Sequence, residues 1–168
     1  MNNVILTGMP GSGKSTLGVL LAKALGYSFV DTDLIISRMA GMPLQKILDE
    51  KGLDHFLLLE EQAGSELECD HTVVATGGSM VLSDKAMRHL KAGGKVVFVD
   101  VPFEEIKRRV TNITTRGIAF HKNETLENVY AQRRPLYEKY ADATVRVGSG
   151  SGIEETVQKL LEHLIFNN

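Results

Sequence analysis

Short apolar runs alternate along this chain with stretches whose apolar residues recur every three or four positions, a pattern that predicts strands followed by helices. Val4, Ile5 and Leu6 make the first run. Leu17, Val19, Leu20, Leu21, Ala24 and Leu25 then give a helix with a broad apolar face, ended by Gly26. A short second strand is expected over 27–30, a helix over 34–39, a break at Gly41, Met42 and Pro43, and a further helix to about residue 50. The stretch 52–67 is helical again, with Phe56, Leu59, Ala63 and Leu67 on one face. Residues 72–76 form a third strand that runs straight into Gly77, Gly78 and Ser79. Ser83 caps a helix to about residue 90, and Ala92, Gly93 and Gly94 make a turn. Residues 95–101 are the cleanest strand, a near-continuous apolar run of the kind a buried parallel strand requires. Pro102 opens a helix carrying Glu104, Glu105, Lys107, Arg108 and Arg109. Over 111–123 the chain turns polar and loses periodicity, a loop long enough to be functional. A helix over 125–140, interrupted at Pro135, precedes a fifth strand over 143–147, and Ile153, Val157, Leu160, Leu161, Leu164 and Ile165 line the last helix. Strands alternating with helices in this way make a three-layer α/β domain around a parallel sheet.

The chemistry begins at the first strand–helix junction. Gly8, Gly13, Lys14 and Ser15 satisfy the spacing G-x-x-x-x-G-K-[ST], between a strand and a helix start. Glycines let the backbone curl so that the N–H groups of Gly11, Ser12, Gly13 and their neighbours converge on phosphate oxygens, and the helix through Thr16 adds its positive end. Lys14 supplies a point charge to the β- and γ-phosphates of a nucleotide, and the Ser15 hydroxyl suits Mg2+.

Asp31 and Asp33 follow the second strand, two residues apart; on an extended segment both carboxylates point to one face, at the sheet edge where ligands bind. Two carboxylates beside a phosphate loop can hold Mg2+ and accept the proton of an attacking hydroxyl, although an ordinary helix N-cap explains either one. Gly77, Gly78 and Ser79 read equally as a turn or as amides presented to a substrate. Arg116 lies in the polar loop, where a loop-borne arginine brings charge to a transferring phosphoryl group and excludes water. Of Arg133 and Arg134, one is expected to fork onto a carboxylate or phosphate and the other to lie on the surface. Arg109 either stacks on an adenine face or decorates its helix.

Composition narrows this further. At 168 residues, 43% hydrophobic and 24% charged, the chain is one globular domain, 1–168. A net charge of −2 gives no basic stripe, so a nucleic-acid-acting ATPase has no support. No apolar run reaches the length of a membrane span, and the first strand begins at once without a signal segment, so a cytoplasmic protein is expected. Cys69 is the sole cysteine, and the five histidines share no metal-ligand spacing.

Taken in order, Gly8 to Thr16, the Asp31-Thr32-Asp33 triplet, Ala75-Thr76-Gly77-Gly78 and the run from Arg133 to Asp142 resemble the shikimate kinase family over nearly the whole chain. The resemblance implies the strand order 2-3-1-4-5, a substrate-binding segment at about 33–60 and a mobile lid at about 111–124 closing over ATP. It implies phosphoryl transfer from ATP to shikimate, giving shikimate 3-phosphate, by a monomer. Asp33 would be the base, Asp31 would lie near Mg2+, and Lys14 and Arg116 would stabilise the transferring group. Arg133 would pair with the substrate carboxylate, Gly77 and Gly78 would line the acceptor site, and Arg109 would lie on the adenine. Three positions depart from the family pattern. Leu57 stands where an arginine usually holds the shikimate carboxylate, Ser79 replaces a third glycine, and Gly117-Ile118 follows Arg116 in place of Pro-Leu. Losing one charged partner of a bound carboxylate costs about 2–5 kcal/mol. A gluconate- or homoserine-type acceptor, or a non-catalytic nucleotide-binding regulator on the same fold, therefore stand as alternatives.

Overall fold

The computed structural model describes residues 2–110 and 117–165. β1 (Asn3–Thr7) lies at the centre of a five-stranded sheet of order β2-β3-β1-β4-β5 and is buried along its whole length. β3 (Thr72–Ala75) and β4 (Gly94–Asp100) flank it in parallel, with Ile5 opposite Val74 on one side and Val96 on the other. β2 (Ser28–Asp31) and β5 (Ala143–Arg146) form the edges, also in parallel.

Strand direction and crossover handedness together set the layers. The chain leaves β1 through α1 (Lys14–Leu25) toward β2, and leaves β3 through α5 (Asp84–Gly93) in the opposite direction toward β4. Right-handed crossovers then put the two helices on opposite faces of the sheet. Between the neighbouring ends of β1 and β3 the connections part, and the crevice left there is where an open α/β sheet binds ligands. The phosphate-loop residues and Gly77 to Ser79 are the segments at that crevice.

Val4, Leu6, Leu21, Val73, Val97 and Val99 belong to the main core. A second, smaller cluster of Ile36, Ile47, Phe56, Ala63 and Ala119 joins α2 (Thr32–Ala40), α3 (Leu44–Lys51) and α4 (Leu53–Ser65) to the segment after residue 116. α6 (Phe103–Arg109), α7 (Leu126–Tyr140) and α8 (Ile153–Ile165) complete the fold, with α8 packed on α1.

Three local expectations need correction. Asp33 is not on an extended segment: α2 begins at Thr32, because the Asp31 carboxylate accepts from the Asp33 N–H at 2.9 Å and caps the helix. No separate turn occupies 92–94, since α5 runs to Gly93 and β4 starts at Gly94 in register with Asn3. α7 passes through Pro135 without interruption. The proline removes one helix hydrogen bond, but Arg134 on one side and fully buried Tyr137 on the other anchor both flanks, and that packing outweighs the local penalty.

Candidate functional site

The loop between β1 and α1 is closed on itself by Lys14. Lys14 is 7% exposed, and its ammonium donates to Gly8 O at 2.8 Å, Met9 O at 2.7 Å and Ser12 Oγ at 3.1 Å. Burial lowers its pKa to about 8, against the opposing pull of the Asp33 and Asp31 charges. Gly13, the residue before α1, has φ +87°, a left-handed conformation that a side chain would strain, and it turns the chain into the helix. The α1 N-terminus therefore faces the loop's concave side, with Gly11, Gly13, Lys14, Ser15 and Thr16 along it.

Asp31 has two jobs in the structure. Oδ1 caps α2, and Oδ2 accepts from the Ser15 hydroxyl at 2.6 Å. A hydroxyl and a carboxylate side by side at a phosphate loop are the hard oxygen donors Mg2+ takes, so these residues fit that ion. Asp33, one turn into the site, has its pKa raised to about 6 by burial first and by the Asp31 charge second, with Lys14 opposing. It remains ionised at neutral pH, as a proton acceptor must.

The carboxylates converge over Gly77. A Cβ on that residue would lie 2.6 Å from Glu60 Oε2 and 2.7 Å from Asp33 Oδ1, so only glycine leaves both acids room. The Gly77 N–H donates to Thr32 Oγ1 at 3.0 Å, and Gly78 O accepts from the Tyr137 hydroxyl at 2.6 Å, which fixes the turn. Ser79, 5% exposed, donates from its hydroxyl to Glu60 Oε1 at 2.5 Å.

Glu60 is a site residue to which the sequence pattern attached no role. It is 1% exposed, and burial raises its pKa to about 7, the Asp33 charge adding to the rise while the Ser79 hydrogen bond, Arg133 and Lys14 pull the other way. The signal was present: Phe56, Glu60 and Ala63 are all buried on one face of α4, and an acid on an apolar helix face asks for an explanation.

The two consecutive arginines of α7 divide as a helix dictates, about 100° apart. Arg134 forks onto Asp100 at the end of β4, with contacts of 2.5 and 2.7 Å. Arg133 turns into the cavity, is 4% exposed, and donates to Ala119 O. The expectation that one of them lies on the surface is thus corrected: Arg134 clamps α7 to the sheet, and the clamp aims its neighbour at the site. Arg134→Ala leaves Asp100 buried without its fork. It is expected to lower stability by about 2 kcal/mol, a Tm drop of ~5 °C in a thermal melt, the low end for a paired buried charge because the arginine is partly exposed.

These groups line one cavity of about 280 Å3, bounded by the phosphate loop, Asp33, Phe56, Glu60, Gly77 to Ser79, Arg133 and residues 117–119. Gly117 is held over α3 by its N–H, which donates to Gln45 Oε1 at 3.1 Å. Leu57 lies outside the cavity lining and instead borders a neighbouring hollow with Leu58, Leu82 and Ser83. Gly13 and Thr16 also line a second cavity, whose walls include Leu17, Val147 and Ile153, with Arg109 at its edge. Arg109 Nη1 donates to Gly11 O at 3.2 Å, and its Nε donates to Glu105 at 2.8 Å. The structure therefore brings Lys14, Ser15, Asp31, Asp33, Gly77, Gly78 and Arg133 together, with Arg109 next door. Arg116 and most of the first half of the expected lid lie outside the described residues. Among the described residues no group of three or more His, Cys, Asp or Glu is placed to hold a metal by itself.

The chain is similar to known proteins over nearly its whole length. The family model for shikimate kinase matches residues 10–165. A shikimate kinase from Rippkaea orientalis is 37% identical over 163 residues, covering 95% of this chain and 86% of that protein. One from Clostridium botulinum is 33% identical over 168 residues and covers 99% of both. Among solved structures, a shikimate kinase from Acinetobacter baumannii in complex with shikimate superposes with a TM-score of 0.89 at 30% identity, over 100% of this chain and 95% of that one.

Proposed function

The chain belongs to the shikimate kinase family, and from that membership we propose that it transfers the γ-phosphoryl group of ATP, with Mg2+, to a hydroxyl of shikimate, giving shikimate 3-phosphate. The observation that carries the reading is one cavity holding the phosphate loop's Lys14, the ionised Asp33 and the buried guanidinium of Arg133. A triphosphate end, an alcohol and a carboxylate each meet a group of the right charge there.

The chain's residues divide the work. The loop amides and the α1 N-terminus bind the phosphates, and Lys14 balances charge that builds on the γ-oxygens. Asp33 orients the acceptor hydroxyl and receives its proton. As that oxygen bonds to the γ-phosphorus, the bond from phosphorus to the bridging oxygen breaks, and its electron pair leaves with ADP. Arg133 takes the acceptor carboxylate, and Arg109 with the apolar wall of the second cavity takes the adenine. Arg116 is assigned to the transferring phosphoryl group from the sequence pattern. Ser15 and Asp31 would hold Mg2+, which supplies charge neutralisation across the β- and γ-phosphates when bound. Ser15→Ala is accordingly expected to raise the Mg2+ concentration for half-maximal turnover at least ~10-fold, read from a metal titration at fixed ATP.

A second reading rests on the cavity's charges. Among its described lining residues Arg133 is the cation on the acceptor side, with Leu57 turned elsewhere, and such a pocket also suits a less acidic hydroxylated acceptor. ADP release screened against shikimate, homoserine, gluconate and nucleoside monophosphates separates the two. Shikimate-dependent release supports the first. Release with another acceptor and none with shikimate supports the second, and tight ATP binding with no turnover of any acceptor returns the protein to the regulator class. The reading takes the enzyme to be a monomer in the cytoplasm; among the described residues no helix is long and apolar enough to cross a membrane.

A further inference from the structure

Gly117 stands where the family pattern has proline, and its backbone does what proline cannot. Its φ is +63°, whereas a proline ring holds φ at about −65°. Its N–H donates to Gln45 Oε1 at 3.1 Å, and proline has no N–H to give. A Cβ at this position would collide with Leu44 Cβ, so the chain passes close over the start of α3 only because residue 117 is glycine. Gln45, the second residue of α3, is set up to receive the bond. Its Nε2 donates to Asp49 Oδ1 at 3.0 Å, one turn further on. A carboxylate only accepts, so the nitrogen end of the amide is committed to Asp49 and the oxygen end faces Gly117.

The segment held in this way is short and joins two parts of the site. Gly117, Ile118 and Ala119 line the reaction cavity. The Ala119 side chain, 3% exposed, packs in the small cluster with Ile36, Ile47 and Phe56, and Ala119 O accepts from Arg133. One methyl group in an apolar cluster sets the depth of a segment but not its direction, since apolar contact is non-directional. The Gln45 bond supplies direction at one end, and Arg133 takes it up at the other. Ala119 O is a hydrogen-bond acceptor for the Arg133 guanidinium, so displacing it changes where that group points.

We propose that Gln45 is a positioning residue for acceptor binding: by anchoring Gly117 it fixes the 117–119 wall against α3, and through Ala119 O it holds the Arg133 guanidinium in its orientation toward the cavity. The inference rests on the preceding section's assignment of Arg133 to the acceptor carboxylate. It adds that this chain sets the acceptor side of its site from a side chain outside the cavity lining. Gln45 also lies outside the lining of the second, nucleotide-side cavity, so its effect is confined to the acceptor.

Gln45→Met keeps the length and a good helix former but has no oxygen for Gly117, so α3 still forms and the anchor is lost. It is expected to raise KM for shikimate about fivefold, the effect of one part-buried hydrogen bond, with KM for ATP nearly unchanged. Gly117→Pro, which removes both the donor and the positive φ, is expected to raise KM for shikimate at least as far. Since both act through one contact, the double variant is expected to match Gly117→Pro alone within about twofold. The measurement is KM for each substrate at saturation of the other, with Mg2+, beside a thermal melt, for the wild-type chain, the two single variants and the double. An unchanged KM for shikimate in Gln45→Met overturns the inference, as does an equal rise in KM for ATP, the mark of a generally loosened fold. A double variant whose rise is the product of the single rises overturns it too, because the two residues then act separately. In each of these cases shikimate turnover by the wild-type chain stands. A wild-type chain that does not turn over shikimate removes the acceptor assignment and the inference with it. Should Gly117→Pro fail to melt cooperatively, the two KM values of Gln45→Met decide.

Discussion

Lys14→Met is expected to lower kcat/KM roughly 1,000-fold while the protein still folds. The ammonium is the cation of the phosphate loop, held by two carbonyls and a hydroxyl at the α1 N-terminus. Phosphoryl transfer leaves little covalent work to a protein, so most of the barrier is lowered by fixed positive charge at the γ-oxygens, and removing a preorganised donor costs orders of magnitude. Methionine keeps the length and apolar stem, so a cooperative melt is expected to be retained. Steady-state kinetics beside a thermal melt check the pair of statements. Activity within tenfold of wild type would remove Lys14 from the transition state.

Asp33→Asn is expected to lower kcat roughly 100- to 1,000-fold with KM for ATP nearly unchanged. Asparagine preserves the shape, and the Asp31 cap on the Asp33 N–H does not depend on the side chain being replaced. What is lost is the capacity to receive the hydroxyl proton, close to the Lys14 charge that favours the ionised form. A loss confined to KM for the acceptor would make Asp33 a binding group. An unchanged kcat would show that transfer proceeds without a base.

Much of this was legible in the chain. Residues 95–101 could only be a strand buried on both faces, and the spacing from Gly8 to Ser15 specifies a loop geometry as well as a chemistry. The strand order, and with it the crevice between β1 and β3, came only with the family resemblance; the structure has that order, and both glycine segments sit at the crevice. Less legible were features set by tertiary contact. Local propensity breaks a helix at Pro135, but the Arg134–Asp100 fork and buried Tyr137 carry α7 across it. Which of Arg133 and Arg134 enters the cavity depends on how α7 is rotated, and Asp100, thirty-odd residues away in sequence, sets that rotation. Asp31 and Asp33 were recognised as a pair, but the pair is a cap and a helix residue, because the capping bond wins over strand continuation. Glu60 closes the stretch Phe56-Leu57-Leu58-Leu59-Glu60 that stands where the family has Phe-Arg-x-x-Glu, and its role could not be read there because its environment needed the fold.

The most direct test of the central claim is to mix the full chain with shikimate, ATP and Mg2+ and identify the product by mass and by phosphorus–carbon coupling in NMR. The account predicts ADP and an equal amount of a shikimate monophosphate, with the phosphorus coupled to the ring carbon at position 3, and none from the Asp33→Asn chain beyond its reduced rate. ATP bound but shikimate recovered unmodified would contradict it.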